Sequence, residues 1–364
     1  MAKKASFPIA DALLAWYARH QRDLPWRKTR DPYSIWISEV MLQQTQVETV
    51  ISYYHRFLSR FPTVQSLAAA PLDDVLKAWE NMGYYARARN LHVAAKEVIE
   101  RLGGKIPNTW DGLIQLPGVG SYTAGAILSI AFGQRAPAID ANVRRVLSRL
   151  FGIDQPLERS RTLRQLVELA RSLVPIEGAG RFNQALMDLG SDICTPRKPD
   201  CTHCPIRGRC WAYQHRLQHV LPVSRKRSPI PHQHVTAGVI QDKRGQVLIV
   251  RRPNHGLLGG LWKFPGGAQQ PDETLERCLR RKIREEVGIR IRIRKSITSV
   301  NHAYTHLRIT LHAFQCAYQS GKPQAHGCSD WRWTRLERLN DMAFSRADRK
   351  IIEALTSKVE QVAA

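Results

Sequence analysis

Two carboxylates, about a hundred residues apart, stand in settings that would separate their protonation states. Glu39, in "IWISEVMLQQ", is bracketed by Ile37, Val40 and Met41. A glutamate on a helix ordinarily faces water, yet apolar neighbours favour its neutral form, and a glutamic acid with a raised pKa can donate a proton. Asp140, in "PAIDANVRRVLSRLFG", directly precedes a helical stretch. Aspartate is a favoured N-cap, and capping alone would account for it there. The same placement sets the carboxylate at the positive end of a helix, ionised and suited to stabilising a cation. One protonated and one ionised carboxylate is the pair that cleavage of a glycosidic bond through an oxocarbenium-like state requires.

Three further groups could do chemistry. In "LPGVGSYTAGAILSIAFG", residues 116–133, Gly118 and Gly120 flank Val119 ahead of a helix of small and apolar residues. Both glycines are expected to take backbone angles closed to other residues and to present successive N–H groups at a helix start, a grip for phosphate. A lone GxG is usually an ordinary turn; with "TWDGLIQ" before it, the stretch reads as a helix-hairpin-helix, which holds a DNA backbone without reading its sequence. Cys194, Cys201, Cys204 and Cys210 follow a C-x6-C-x2-C-x5-C spacing. Zinc knuckles usually pair two CxxC units and only one is present, so an iron-sulfur cluster is favoured over zinc. Arg197, Lys198, Arg207 and Arg209 interleave with these cysteines, either to face DNA or to offset an anionic cluster. Finally, "RRKIREEVGIRI" puts Glu285 and Glu286 one turn after Lys282, carboxylates of a cation site beside a charge that opposes one.

These groups need scaffolds of two kinds. From Trp16 to about Tyr213 the pattern is helical nearly throughout, with apolar residues at three- and four-residue steps in "IWISEVMLQQTQVETVISYYHRFLSRF", "DDVLKAWENM", "ARNLHVAAKEVIERL" and "LRQLVELARSLV". "LPVSRKRSPIPHQH" has three prolines, a basic run and little to bury, and reads as a linker. Beyond it, "HVTAGVIQDKRGQVLIVRR" predicts two strands around a turn at "DKRG", and "GIRIRIRK" alternates as a half-buried strand does. The expected organisation is an all-α domain over 1–220, a linker over 221–234 and an α+β domain over 235–364. The 364 residues carry 55 Lys plus Arg against 31 Asp plus Glu, a formal charge of +24, and a pI near 10.2. That balance favours a polyanion, nucleic acid first. No apolar run approaches the roughly 18 residues of a membrane crossing, and the apolar residues of "MAKKASFPIADALLAWYARH" are spaced as on a helix face and not as a signal core. A cytoplasmic protein with no membrane partner is expected. Seven cysteines, four of them clustered, suit metal better than disulfides.

The hairpin, Asp140 and the four-cysteine loop, in that order, resemble the endonuclease III superfamily of base-excision DNA glycosylases, and "SEVMLQQTQV", "MGYYARARNLH" and "RFNQALMDLG" resemble its adenine DNA glycosylase family. The resemblance covers nearly the whole chain. It implies a helix-hairpin-helix glycosylase domain with one 4Fe-4S cluster, no nucleotide cofactor and no catalytic divalent metal, acting as a monomer on duplex DNA with adenine opposite 8-oxoguanine or guanine in a nucleoid-associated, bacterial-type setting. By matching position it implies that Glu39 protonates adenine at N7 and Asp140 stabilises the sugar cation, with Asn142 and Tyr122 assisting. Gln44 and Tyr84 would wedge the duplex where the base leaves the stack. Arg27 and Gln184 would border the adenine, while Trp26 packs. Bifunctional relatives carry a lysine where this chain has Tyr122, and a phenol cannot form a Schiff base. A monofunctional enzyme that leaves an abasic site is therefore expected.

The opening of the second domain's helix resembles a Nudix box. From Gly267 through Glu273, Arg281, Glu285 and Glu286 to Ile289 the spacing matches, but Lys282 stands where the box has a glutamate. The fold is expected without the pyrophosphate chemistry that its carboxylates and divalent cations perform. In adenine glycosylases such a domain reads 8-oxoguanine through a Phe-Ser-His segment, for which this chain has Tyr304, Thr305 and His306. The rival readings are a glycosylase-lyase for oxidised pyrimidines, a Nudix hydrolase tethered to a DNA-binding domain, and a damage-binding module in which Glu39 and Asp140 are spectators.

Overall fold

In the computed structural model, which describes residues 7–223 and 229–363, the helices are α1 (Phe7–His20), α2 (Pro32–Leu42), α3 (Val47–Arg60), α4 (Val64–Ala69), α5 (Leu72–Ala78), α6 (Ala86–Leu102), α7 (Trp110–Ile114), α8 (Ser121–Ile130), α9 (Ala141–Phe151), α10 (Ser160–Leu173), α11 (Ala179–Asp188), α12 (Trp211–Gln214), α13 (Leu275–Val287) and α14 (Arg346–Ala363). The strands are β1 (His232–Gln241), β2 (Val247–Arg251), β3 (Trp262–Lys263), β4 (Arg290–Ala303), β5 (Arg308–Ser320) and β6 (Asp330–Thr334). Two compact units emerge: Met1–Ala69 with Asn90–Arg227, and Ala70–Arg89 with Ser228–Ala364. The expected helical domain ran unbroken from 1 to 220, so the grouping of 70–89 with the second unit is a difference. The segment is joined to the second unit by non-local contacts: Asp73 pairs with Arg251 at 2.5 Å, Glu80 with Arg349 at 2.6 Å, and Arg89 donates to the Gly259 carbonyl at 2.6 Å. Of the expected linker, 224–228 lies outside the described residues, and β1 already begins at His232, pairing in parallel with Arg308 of β5.

The first unit is helical throughout its described length. Its core joins α1, α9, α10 and α11 through Leu13, Leu147, Leu166 and Phe182, all at most 1 % exposed. Within the helical pattern over 35–61 the chain makes a turn: α2 ends at Leu42, and Gln44 takes φ 57° before α3 begins. Helix α2 shows almost no amphipathic face because residues 35–41 are all buried, as befits a helix in the middle of a bundle. Asp31 caps it, its carboxylate accepting from the Ser34 amide at 2.8 Å. Helices α7 and α8 and the turn between them form the helix-hairpin-helix, with the Thr109 hydroxyl capping α7.

The second unit carries a mixed sheet in the order β3-β2-β1-β5-β4, with β6 on β2 and the β1–β5 pair parallel. The sheet is covered on both faces. Helix α13 closes one through Leu279 and Ile283, and α14 the other through Ile351 and Ile352. The predicted alternation holds in β4, where Arg290, Arg292 and Arg294 face water and Ile291 is buried. Among the described residues no helix is long and apolar enough to cross a membrane.

Candidate active site

A cavity of about 870 Å³ opens in the first unit, walled by α2, the hairpin, the start of α9 and α11. Glu39, Tyr122, Asp140, Asn142, Arg27 and Gln184 all line it, as do Gln44, Gly118 and Gly120. Six side chains singled out from five stretches of sequence thus line one cavity.

Glu39 is 4 % exposed because α2 has no solvent face. Burial lifts its carboxyl from the ordinary 4.5 to about 7, and the charge of Asp140 adds to the rise, while the Tyr122 hydrogen bond and the Arg27 guanidinium oppose it. Tyr122, in the first turn of α8, donates its hydroxyl to Glu39 Oε2. Burial, then the Glu39 and Asp140 charges, hold this phenol well above its usual range, so at neutral pH it is a donor and not a nucleophile. Asp140 is the N-cap of α9, accepting from the Val143 amide at 2.7 Å. Cap and cavity-lining carboxylate are therefore one residue. Burial leaves its pKa raised on balance, against the expectation from the helix end alone, although the amides of Val143 and Asn142 and the Arg145 guanidinium oppose the rise. Asn142 is held by Arg145, whose Nη2 donates to Asn142 Oδ1 at 2.7 Å.

Arg27 is pinned by a residue the sequence reading missed. Asp188, fully buried, accepts from Arg27 Nη1 at 2.8 Å and Nη2 at 2.9 Å, and also binds Arg22. The fork-on-carboxylate geometry fixes the plane of the guanidinium. Gln184 lies one turn before Asp188 on α11, its Oε1 accepting from Tyr17 at 3.3 Å and its Nε2 donating to the Gly180 carbonyl. Trp26 is buried edge-on against Tyr54, packing as expected while bordering the same cavity.

Of the two hairpin glycines only one needs to be glycine for its backbone. Gly118 has φ 79°, and a Cβ there would stand 2.7 Å from Asn90 Cβ. Gly120 has φ −95° and ψ 179°, extended backbone that any residue adopts, with nothing within 4 Å of a Cβ. The expectation for Gly120 is corrected accordingly: its bareness leaves open space before α8. Val119 is buried and anchors the turn through its amide on Leu116 O. Gln44 is exposed at φ 57°, a conformation that costs a non-glycine residue energy and recurs where side chains must project.

Past α11 a π turn (Leu189–Ile193) delivers the chain to Cys194. The four cysteines are free thiols, and Cys194, Cys204 and Cys210 pack against the helical core, while Arg197, Lys198, Arg207 and Arg209 are exposed. Arg149, 2 % exposed on α9, gathers the loop: it donates to Cys194 Sγ at 3.3 Å and to the carbonyls of Cys194, Thr195, Pro196 and Leu221. Arg145 adds a bond to Cys194 O at 2.7 Å. Among the described residues no three His, Cys, Asp or Glu side chains are gathered as for a single ion.

In the second unit, Tyr304, Thr305 and His306 form the turn between β4 and β5, closed by the Tyr304 amide on Leu307 O at 2.7 Å. Tyr304 is packed, T-shaped on His302, and burial pushes its phenol up to about 12. Thr305 and His306 are exposed. The Thr305 hydroxyl bonds that of Tyr84, itself 43 % exposed at φ 48°. The box carboxylates are all taken. Glu273 is held by Arg281, which keeps its carboxyl down at about 2. Arg281 and Lys282 share Glu285, and Glu286 pairs with buried Lys263 at 2.8 Å. Each carboxylate that a divalent cation would need already has a cation of the chain.

Residues 37–172 match the model of the HhH-GPD superfamily of base excision DNA repair proteins, and residues 236–354 that of the NUDIX domain. The chain is 36 % identical over 396 residues to the adenine DNA glycosylase of Homo sapiens, across 93 % of this chain and 72 % of that protein. It is 32 % identical over 348 residues to the adenine DNA glycosylase of Buchnera aphidicola subsp. Schizaphis graminum, across 95 % and 98 %. Among solved structures, a thermostable thymine-DNA glycosylase overlays at TM-score 0.53 with 35 % identity, covering 57 % of this chain and 95 % of that one. A trapped endonuclease III–DNA covalent intermediate overlays at TM-score 0.51 with 24 % identity, covering 60 % and 99 %, a likeness of fold.

Proposed function

The chain belongs to the adenine DNA glycosylases, DNA N-glycosylases of base excision repair, and we propose that it removes adenine paired with 8-oxoguanine or guanine and leaves the strand unbroken. The observation that carries the chemistry is the buried Glu39–Tyr122 pair facing Asp140 in one cavity. A carboxyl raised to about 7 is close to half protonated at neutral pH, the condition for an effective general acid. With adenine turned out of the stack into the cavity, Glu39 donates its proton to the base at N7 and the C–N bond to the sugar breaks. Gln184 and Arg27 border the base, the guanidinium plane of Arg27 held in one orientation by Asp188. Asp140 sits at the α9 N-terminus and faces the cationic sugar, and Arg145 holds Asn142 beside it. Tyr122 tunes Glu39 by its hydrogen bond. Because a phenol offers no amine, the reaction ends at an abasic site once water adds to the sugar.

Gly118, Val119 and Gly120 present backbone to the DNA phosphates, and Gln44 of the first unit and Tyr84 of the second each stand at positive φ in a turn, side chains suited to entering a base stack. Cys194, Cys201, Cys204 and Cys210 suit the 4Fe-4S cluster of the superfamily: all four thiols are free, three pack on the core, and Arg149 places a cation on Cys194 Sγ. Bound there, the cluster would tie the loop and its four exposed cations into one rigid face. The turn over 304–306 reads 8-oxoguanine on the opposite strand, with Thr305 supplying a hydroxyl to the purine edge. Single-turnover rates on duplexes with adenine opposite 8-oxoguanine, guanine and thymine test this reading. It requires fast, slower and negligible cleavage in that order, and Thr305→Ala should compress the first difference; equal rates on all three would refute it.

A further inference from the structure

A second cavity, of about 730 Å³, lies in the second unit where the first turns of α14 meet the segment 77–81. Four cations line it, Lys77, Arg346, Arg349 and Lys350, against two carboxylates, Glu80 and Glu353. Glu80 is already satisfied twice, by Lys77 at 2.6 Å and by Arg349 at 2.6 Å. Arg346 and Lys350, one turn apart on α14, are exposed and have no hydrogen-bond or ion-pair partner among the described residues. The cavity therefore carries an excess of positive charge, which suits an anion.

Its position narrows the anion. The inner face of α14, through Ala347 and Ile351, shares one core with Val300, Tyr304 and Leu307 at the end of the β4–β5 hairpin. Arg346 and Lys350 reach far enough toward that hairpin to depress the basicity of His302, after burial. On the cavity's other side Asn81 stands at φ 71°, three residues before Tyr84, whose hydroxyl bonds Thr305. Arg252 is the cation that acts on Tyr304, at the same end of the hairpin, and its Nε is buried without a partner. Residues 228–364 as a whole carry 23 Lys and Arg against 12 Asp and Glu.

We propose that Arg346 and Lys350, with the cavity they line, bind the phosphodiester backbone of the DNA strand carrying the damaged base. Resting on the reading of 304–306 as the lesion contact, this adds a sequence-independent hold that sets the strand's register while the hairpin inspects the base. The ammonium and guanidinium supply charge without base selectivity, so the hold operates on undamaged duplex as well. It gives the second unit a way to stay on DNA before any lesion is met.

The test is equilibrium anisotropy of the full-length, cluster-loaded protein on a duplex with 8-oxoguanine opposite 2′-fluoro-2′-deoxyadenosine, whose fluorine blocks departure of the base, titrated with potassium chloride. Two lost phosphate contacts at about 0.9 each lower the slope of log K against log salt by about 1.8 in R346Q/K350Q. R346K/K350R, which keeps both charges, should retain the wild-type slope. Methylphosphonates beside the 8-oxoguanine should weaken the wild type and leave R346Q/K350Q nearly unmoved. An unchanged slope in the glutamine variant, or an equal methylphosphonate penalty in both proteins, overturns the proposal. Equal wild-type affinity for duplexes containing 8-oxoguanine and guanine would instead count against the reading of the hairpin, and the salt slope would still decide the phosphate contact.

Discussion

Glu39→Gln is expected to inactivate the enzyme and, above neutral pH, to stabilise it. Glu39 titrates at about 7 in the folded protein against 4.5 ordinarily. Between those values the folded state binds more protons than the unfolded one, so the contribution of Glu39 to stability falls as pH rises through the window and is fully lost above about 7. At 1.36 kcal/mol per pH unit the difference is roughly 3 kcal/mol. Glutamine has nearly the same shape and no charge to bury. Urea unfolding of wild type and Glu39→Gln should coincide at about pH 4 or below, where both states hold the proton, and diverge to roughly 3 kcal/mol in favour of the variant by about pH 8.5, while single-turnover cleavage falls about 10³-fold, within the range of a lost general acid. A stability difference that stays flat with pH would show that Glu39 is not a desolvated acid, and the mechanism built on it would fail.

Tyr122→Phe removes a hydrogen bond that lowers the Glu39 pKa, so the alkaline limb of the rate profile should move to higher pH while the maximal rate changes less than about tenfold; a limb that stays in place would detach Tyr122 from Glu39. Gly118→Ala should cost at least about 2 kcal/mol, because φ 79° and the Asn90 contact both oppose a Cβ, whereas Gly120→Ala should fold normally in thermal melts and weaken DNA binding by crowding the phosphate side. Arg149→Ala should yield protein without the brown iron-sulfur absorption near 400 nm, since five bonds to the loop and to Leu221 are lost together; full absorption would show that the loop orders itself. Lys282→Glu should not restore divalent-cation-dependent hydrolysis of 8-oxo-dGTP, because Glu273 and Glu286 remain held by Arg281 and Lys263.

What could be read from the sequence followed from how local each signal is. The Asp140 cap, the hairpin and the cysteine loop are each written within a few consecutive residues, and the apolar residues around Glu39 forecast its burial. Asp188 was missed because its partners Arg22 and Arg27 are more than 160 positions away, and an aspartate near a helix end carries no mark of that pairing. Arg149 and Lys263 look like surface cations in sequence; both are buried because a carbonyl-rich loop and Glu286, respectively, close over them. The grouping of 70–89 with the second unit was equally hidden, since Asp73 and Glu80 find Arg251 and Arg349 only after folding. At Gln44 the helical pattern ran across a turn whose positive φ no residue type announced.

The account turns most directly on one experiment: a duplex with a single adenine opposite 8-oxoguanine, the adenine strand end-labelled, reacted under single-turnover conditions and analysed with and without alkali. The structure predicts an intact strand until alkali is added and then a single cut at the adenine position, formed about 10³-fold more slowly by Glu39→Gln. Efficient cutting without alkali would contradict it, because that requires an amine nucleophile where this site holds the phenol of Tyr122.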